Sequence, residues 1–316
     1  MKCKACLLAF LFIAFTQTAR SQVLITTTVP DSITYWERTN ALGLDMNQIS
    51  FVNWSVGGNN SVTVLGKAHF TRKYTRRYMN WHNELILKYG LNSQEGQETR
   101  KTDDQIQLNS TFGYRKDTVS NWYYSAKFNF QTQFANGYQY PNTTDEISGP
   151  FSPAYIFLGV GSEYIRKDLG LNAYFSPLTN KTTLVLNRTL ADKGAFGVDP
   201  AIRDAEGNII EHGSQSRTEV GILITNNIKR QIFKNIMLDH RLTLYTDYLN
   251  NFGNIDVNWQ LQLDMTVNEY VKANIGTHII YDDDVKATEE VNGGVVQVGP
   301  KIQLKQMLGV GLSYTF

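Results

Sequence analysis

His240 is the side chain in this sequence that most invites a catalytic reading. It shares its parity with Ile236, Leu238, Leu242 and Leu244, and Asn226 holds the same phase on the segment before it. A histidine base oriented by an amide needs a nucleophile on its own face, which along a β-strand means two residues away. Those positions are Leu238 and Leu242, so triad chemistry lacks its serine, and a polar pair of His240 with Asn226 at an interface is the better account. Asp282-Asp283-Asp284 with Glu289 and Glu290 offers several oxygens to a hard cation such as Ca2+, but without the glycine-centred spacing of an EF-hand it reads as a solvated acidic loop. No histidine pair has zincin spacing. Gly159, Gly161 and Gly293-Gly294 precede neither Lys-Ser/Thr nor a helix, so they cradle no phosphate. The sequence therefore nominates no catalytic, cofactor-binding or metal-ligating residue and argues against an enzyme.

What remains is a set of polar and charged residues at alternate positions in otherwise apolar segments: Lys67, Lys127, Asn129, Glu163, Asp239, Arg241, Asp247, Asp256, Gln260 and Asp264, accompanied by His69, Glu84, Lys88, Arg115, Gln131, Glu219, Gln262, Lys272 and His278. Gathered on one inner wall, such residues either brace a hydrated interior with ion pairs or line a pathway whose charges select solutes. Tyr123, Tyr155, Phe157, Tyr174 and Tyr245 fall on the same face and would narrow any passage. Asp256 and Asp264, next to Asp239, Arg241 and Asp247, would make one side of the wall net negative and give a conducting lumen a modest cation preference.

The elements that must carry this wall are strands. Trp122, Tyr124, Ala126, Phe128, Phe130, Thr132 and Phe134 alternate with a mostly polar set, and Val257, Trp259, Leu261, Leu263, Met265 and Val267 alternate with Asp256, Asn258, Gln260, Gln262, Asp264 and Thr266. A helix would scatter both sets around its circumference. Trp122, Tyr124, Phe128, Phe130, Trp259, Leu261, Leu263 and Met265 should then face lipid, with Lys127, Asn129, Gln260, Gln262 and Asp264 facing a lumen. Similar segments are Ala41 to Phe51, Ser61 to Tyr74, Asn80 to Leu91, Asp104 to Arg115, Pro153 to Arg166, Gly170 to Leu186, Arg217 to Lys229, Ile236 to Leu249, Val271 to Tyr281 and Lys301 to Phe316.

Most of these segments reach the roughly 9–11 residues that a tilted strand needs to cross a bilayer, whereas globular strands stop near about five or six. Their connections alternate between tight turns (Arg76-Arg77, Lys116 to Asn121, Lys167 to Leu169, Arg230 to Asn235, Asn268 to Tyr270) and longer loops. The longer ones are Trp54 to Asn60, Asn92 to Asp103, Asn136 to Ser152, Asn187 to Ser216, Asn250 to Ile255 and Asp282 to Pro300. Tyr74, Tyr89, Tyr114, Trp122, Tyr164, Tyr248, Trp259 and Tyr281 gather near strand ends, as interfacial girdles do. Leu308, Val310, Leu312, Tyr314 and Phe316 alternate to an aromatic terminus, which resembles the C-terminal signal that outer-membrane proteins present to their assembly machinery. The sequence predicts an all-β, transmembrane, antiparallel up-and-down barrel of about twelve strands, closed by the strand ending at Phe316 against Ala41 to Phe51.

Composition agrees. In 316 residues, 42% are hydrophobic and only 19% charged, and a formal charge of +1 removes the electrostatic case for a nucleic-acid partner. Lys2 and Lys4, the apolar run Ala5 to Phe15 and the small-x-small site Ala19-Arg20-Ser21 form a secretory signal, with maturation at Gln22. Cys3 and Cys6, the only two cysteines, leave with it. The expected organisation is a signal peptide at 1–21, a periplasmic leader at 22–38 and the barrel at 39–316, located in the bacterial outer membrane.

Asn53-Trp54-Ser55-Val56-Gly57-Gly58-Asn59, Arg100 to Asp104, Gln133 to Tyr138 with Tyr140-Pro141, Ser176-Pro177-Leu178-Thr179 and Leu190 to Val198 resemble an uncharacterised Bacteroidota family of outer-membrane barrels, domain of unknown function 3078. The resemblance implies a location and a fold and carries over no catalytic residue. These segments lie in or beside the long loops, where Gly, Asn and Pro serve loop geometry or partner binding. Two functions stay open: a passive channel for small polar solutes, and a structural or partner-binding barrel acting through its loops. The expected partners are outer-membrane lipid and the barrel assembly machinery, with no cofactor.

Overall fold

The computed structural model describes residues 35–50, 59–250, 252–291 and 294–315. The expected signal peptide and its cleavage site, most of the leader, 53–58 of the first resembling segment, and Phe316 lie outside the described residues.

Period-two alternation becomes twelve strands: β1 (Trp36–Ile49), β2 (Ser61–Arg76), β3 (Met79–Gln94), β4 (Arg100–Tyr114), β5 (Trp122–Thr132), β6 (Ala154–Arg166), β7 (Leu171–Leu184), β8 (Ser216–Phe233), β9 (Ile236–Asp247), β10 (Asp256–Thr266), β11 (Val271–Tyr281) and β12 (Gln303–Thr315). Each pairs antiparallel with its neighbours in the chain, and β12 returns to β1 from Ala41–Thr315 to Asp45–Gly311, so the sheet closes into a barrel. One end carries the short turns 77–78, 115–121, 167–170, 234–235 and 267–270, and the other carries 95–99, 133–153, 185–215, 248–255 and 282–302. We refer to these as the turn end and the loop end.

The faces separate as the alternation requires. Trp122 and Tyr124 are 56% and 58% exposed on the outside, and Phe128, Phe130, Trp259, Leu261, Leu263 and Met265 share their side of the pleat. Lys127, Asn129, Gln260, Gln262 and Asp264 line the interior. Aromatic pairs ring the turn end on the outside, with Trp36 against Tyr74 at 5.2 Å and Trp122 against Tyr164 at 4.9 Å between ring centroids.

Three boundaries differ from the sequence expectation. The first strand starts at Trp36 and not at the expected Ala41, because Trp36, Glu37 and Arg38 pair with Tyr74, Lys73 and Arg72. The loop expected over Asn92 to Asp103 shrinks to 95–99, since Asn92 still pairs with Arg100 across a bulge at Gly90–Leu91. The turn expected over Arg230 to Asn235 tightens to 234–235, with Asn235 at φ 66°.

Strand β7 changes phase midway. Tyr174 faces inward opposite Glu163, yet beyond Ser176-Pro177-Leu178 it is Thr179 and Lys181 that face Gly159 and Phe157. Pro177 cannot donate to the ladder and is tolerated at such a bulge. The Ser176 hydroxyl closes it by donating to the carbonyls of Val160 and Leu178, at 2.8 and 2.9 Å. Opposite the bulge, a Cβ on Gly161 would stand 2.0 Å from the Phe175 carbonyl oxygen, which is why that position has no side chain.

Candidate functional site

The interior of the barrel is crossed by an ion pair. Arg241 on β9 and Glu84 on β3 stand six strands apart in either direction around the ring. The two terminal nitrogens of Arg241 nevertheless donate to the two Glu84 oxygens at 3.1 Å each. The planar guanidinium fork suits such two-point contact. Asp239 holds the root of the fork, accepting from Nε at 3.0 Å, and Lys229 lies 3.5 Å from the same carboxylate. Glu84 is braced in turn by His69 Nε2 and the Asn109 amide, both at 2.8 Å. This strut divides the lumen lengthwise. A cavity of about 700 Å3 lies toward β1, β2 and β10–β12, and one of about 1000 Å3 lies toward β4–β8.

The larger cavity is partly filled. Phe157, Tyr174, Leu223 and Tyr245 pack together in its wall, and the Lys127 ammonium sits over the Tyr174 ring at 4.9 Å while donating to Thr225 at 2.8 Å. Glu163 accepts from the Asn172 amide at 2.7 Å. Toward the loop end Lys181 lies within 2.7 Å of Asp256, 3.4 Å of Glu219 and 3.8 Å of Asp282, over the Tyr245 ring. Arg217 joins Glu219 at 3.2 Å to Asp284 at 2.9 Å.

The 185–215 loop covers this mouth. Its short helix α1 (Arg188–Asp192) is capped by Asn187, and Val185, Leu190, Ala191 and Val198 form a small core of their own. Gly194 takes φ 69°, a left-handed turn that a Cβ would oppose. Arg217 donates to the Gly197 carbonyl at 3.1 Å, and Phe196 lines the larger cavity. Asp192 accepts from the Gly213 N–H at 2.8 Å and lies 3.0 Å from His212 Nδ1. Desolvation favours its neutral form, but those two donors outweigh it and hold the carboxyl below the usual aspartate range. Asn187 also donates to Glu146 at 2.7 Å, tying this loop to 133–153.

Residues 46–138 match the family described as a protein of unknown function, DUF3078. That stretch takes in Arg100 to Asp104 and Gln133 to Tyr138, and the two segments meet in the structure. Asp104 accepts from the Phe134 and Ala135 N–H groups at 2.7 and 2.9 Å, Lys101 donates to the Ala135 carbonyl at 2.7 Å, and Arg100 stacks over Tyr140 at 5.0 Å. No curated protein sequence matches the chain. Among solved structures it is similar to the translocator domain of the autotransporter NalP from Neisseria meningitidis, at 12% identity, TM-score 0.38, with 91% of this chain and 90% of that one covered. It is also similar to an outer membrane channel from Pseudomonas putida F1, at 10% identity, TM-score 0.40, covering 88% and 95%. The NanC porin gives 9% identity, TM-score 0.38, covering 87% and 98%.

Of the residues nominated from sequence, Lys67, Asp239, Arg241, Gln260 and Asp264 line the smaller cavity, and Lys127, Asn129, Glu163, Asp256, Asp239, Arg241 and Gln260 line the larger. Asp247 lines neither, because it caps its strand by accepting from the Leu249 N–H and the Asn250 amide. Arg115 belongs to a turn, donating to the carbonyls of Arg77 and Ser120. The negative wall expected along β9 and β10 is largely occupied, Asp256 by Lys181 and Asp239 by Arg241. The acidic loop is dispersed: Asp282 lies near Lys181, Asp284 pairs with Arg217, and Asp283 accepts from Asn254. His240 takes its hydrogen bond from the Trp259 indole at 3.0 Å and not from Asn226. Charged lining residues that the sequence did not nominate include Asp45, Asp103 and Lys305 in the smaller cavity and Lys181 in the larger.

Proposed function

We propose that this protein is a non-enzymatic barrel of the bacterial outer membrane whose divided lumen passes small polar solutes. The membrane placement is supported by the outer face, where Leu42, Leu44, Met46, Leu158, Val160, Phe175, Leu178, Leu308 and Leu312 are all exposed. A contiguous apolar belt of this extent is foreign to a soluble surface. A chain that crosses lipid without long apolar helices must satisfy its backbone in a closed sheet, and strands of 11 to 18 residues span the hydrocarbon. On the usual plan of such barrels the turn end is periplasmic and the loop end external.

The observation that carries the solute reading is the pair of charge-lined cavities flanking the Arg241–Glu84 strut. Their volumes leave room for water and small solutes. Purified protein in planar bilayers is expected to give small, discrete conductance steps, enlarged when Glu84 and Arg241 are both replaced by glutamine. Silence of both proteins at high loading overturns the channel. One observation favours the second reading, in which the loops bind a partner: the longest loop, 185–215, is folded and joined to 133–153 through Asn187 and Glu146.

A further inference from the structure

The smaller cavity has an opening in its side. Pairing between β1 and β12 runs from Ala41–Thr315 to Asp45–Gly311 and, among the described residues, goes no further. Yet β1 stays paired with β2 as far as Ile49–Ser61, and β12 with β11 as far as Ile280–Gln303. Beyond Asp45 two strand edges therefore face each other without bonding. Bare backbone edges are excluded from hydrocarbon unless they line a cavity, and these do: Met46 and Asn47 from one edge and Gln306 to Val310 from the other border the 700 Å3 space. The outer lips of the slot are apolar, with Met46 53%, Leu308 77% and Val310 57% exposed.

The same cavity holds a cation without a counterion. Lys88 lines the cavity and, among the described residues, has neither an ion pair nor a hydrogen-bond partner. Lys67, directly opposite it on β2, is taken by Asp45. Asp103, whose charge also reaches Lys88, is taken by Lys305 at 3.0 Å. The cavity thus offers one free ammonium, flanked by two more lysines, behind a slot with greasy lips. A small free anion would use the ammonium and leave the lips idle; a neutral lipid would do the reverse.

We propose that the slot is a lateral entrance for a single-chain amphiphile with a carboxylate or phosphate head, the head meeting Lys88 and the tail leaving between β1 and β12 past Met46, Leu308 and Val310. The inference rests on the membrane placement proposed above and is independent of conduction.

The test is calorimetric titration of the full barrel in an uncharged detergent with decanoate below its micellar concentration, decanol and inorganic phosphate. Decanoate is expected to bind more tightly than either of the others. Lys88→Gln should weaken decanoate about tenfold, the loss of one charge-assisted hydrogen bond, and leave decanol unchanged. A second variant keeps the test clear of folding effects. Met46→Cys with Val310→Cys puts thiols on the two unpaired edges, and the mature chain expected from the sequence has no other cysteine. Closing that staple should abolish decanoate binding, and reducing it should restore binding. Phosphate binding as tight as decanoate, or decanoate binding indifferent to Lys88→Gln or to the staple, overturns the proposal. Bilayer recordings on the same preparation separate the two claims: conduction without decanoate binding removes the lateral site and spares the channel, and binding without conduction does the opposite.

Discussion

Arg241 and Glu84 are 157 residues apart in the chain and reach each other from strands on opposite sides of the ring. Each has further partners, so the strut is one member of a network reaching Asp239, His69 and Asn109. Removing one partner of such a pair leaves the other charge uncompensated, which is costlier than removing both. Glu84→Gln is expected to destabilise the barrel by about 2 kcal/mol, less than the roughly 3–5 kcal/mol of a fully dry pair because both side chains remain partly exposed. Guanidinium unfolding of the two single variants and of Glu84→Gln with Arg241→Gln forms a cycle, and the double variant should lose less than the sum of the singles. Additive losses would mean that the strut carries no energy. The sequence shows Arg241 and Glu84 as inward residues, because a period of two assigns a face. It does not show that they meet, because alternation carries no information about which wall a strand occupies.

The loop over the mouth is an element with its own anchors. Asp192 holds the Gly213 N–H and His212, and its carboxyl titrates below the usual range. A carboxyl depressed in the folded state contributes stability that is fully present above its unfolded value, near about 4, and is lost as pH falls through the lower folded value. Protection of the Gly213 and Ala201 amides against hydrogen exchange should therefore hold at neutral pH and decline below about pH 4. Asp192→Ala should weaken it already at neutral pH, with protease nicking within 199–213. Unchanged protection in that variant would show the loop to be held by its apolar core alone. The loop's existence was readable from the break in alternation at Asn187 to Ser216, whereas its internal fold was not, since it depends on contacts between Val185 and Val198 rather than on any period. The bulge in β7 hid Lys181 for a related reason: one extra residue at Ser176 to Leu178 reverses the phase, and counting by twos along Gly170 to Leu186 then assigns the far half to the wrong face.

For the whole molecule, the strand number, the closure of the last strand on the first and the alternation of short turns with long loops all follow from patterns repeated down the chain, and they appear in the structure except that the 95–99 loop is shorter than the 115–121 turn. The sign of the interior does not follow in that way. Lysines and arginines outnumber carboxylates around both cavities, and the aspartates from which a cation preference was expected are mostly paired. Lys88 and Lys67 lie on β3 and β2, five or six strands around the ring from β9, and Lys305 lies on β12, two strands from β10. A conducting barrel is therefore expected to prefer anions modestly, seen as a reversal potential displaced toward that of chloride under a potassium chloride gradient, and shifted back by Lys88→Gln. A potential displaced toward potassium would restore the acidic wall as the selecting element.

The short pairing of β1 with β12 has one more consequence. A ring whose other junctions are zipped along most of their length, and which among the described residues is fastened at one junction from Ala41 to Asp45, distributes its resistance to opening very unevenly. Local opening follows the least-protected set of backbone bonds, so breathing of this cylinder concentrates along a single line instead of being shared around the circumference. The same five pairs make β1 and β12 the first staves to part when the cask is loaded and the last to be hooped when it is built.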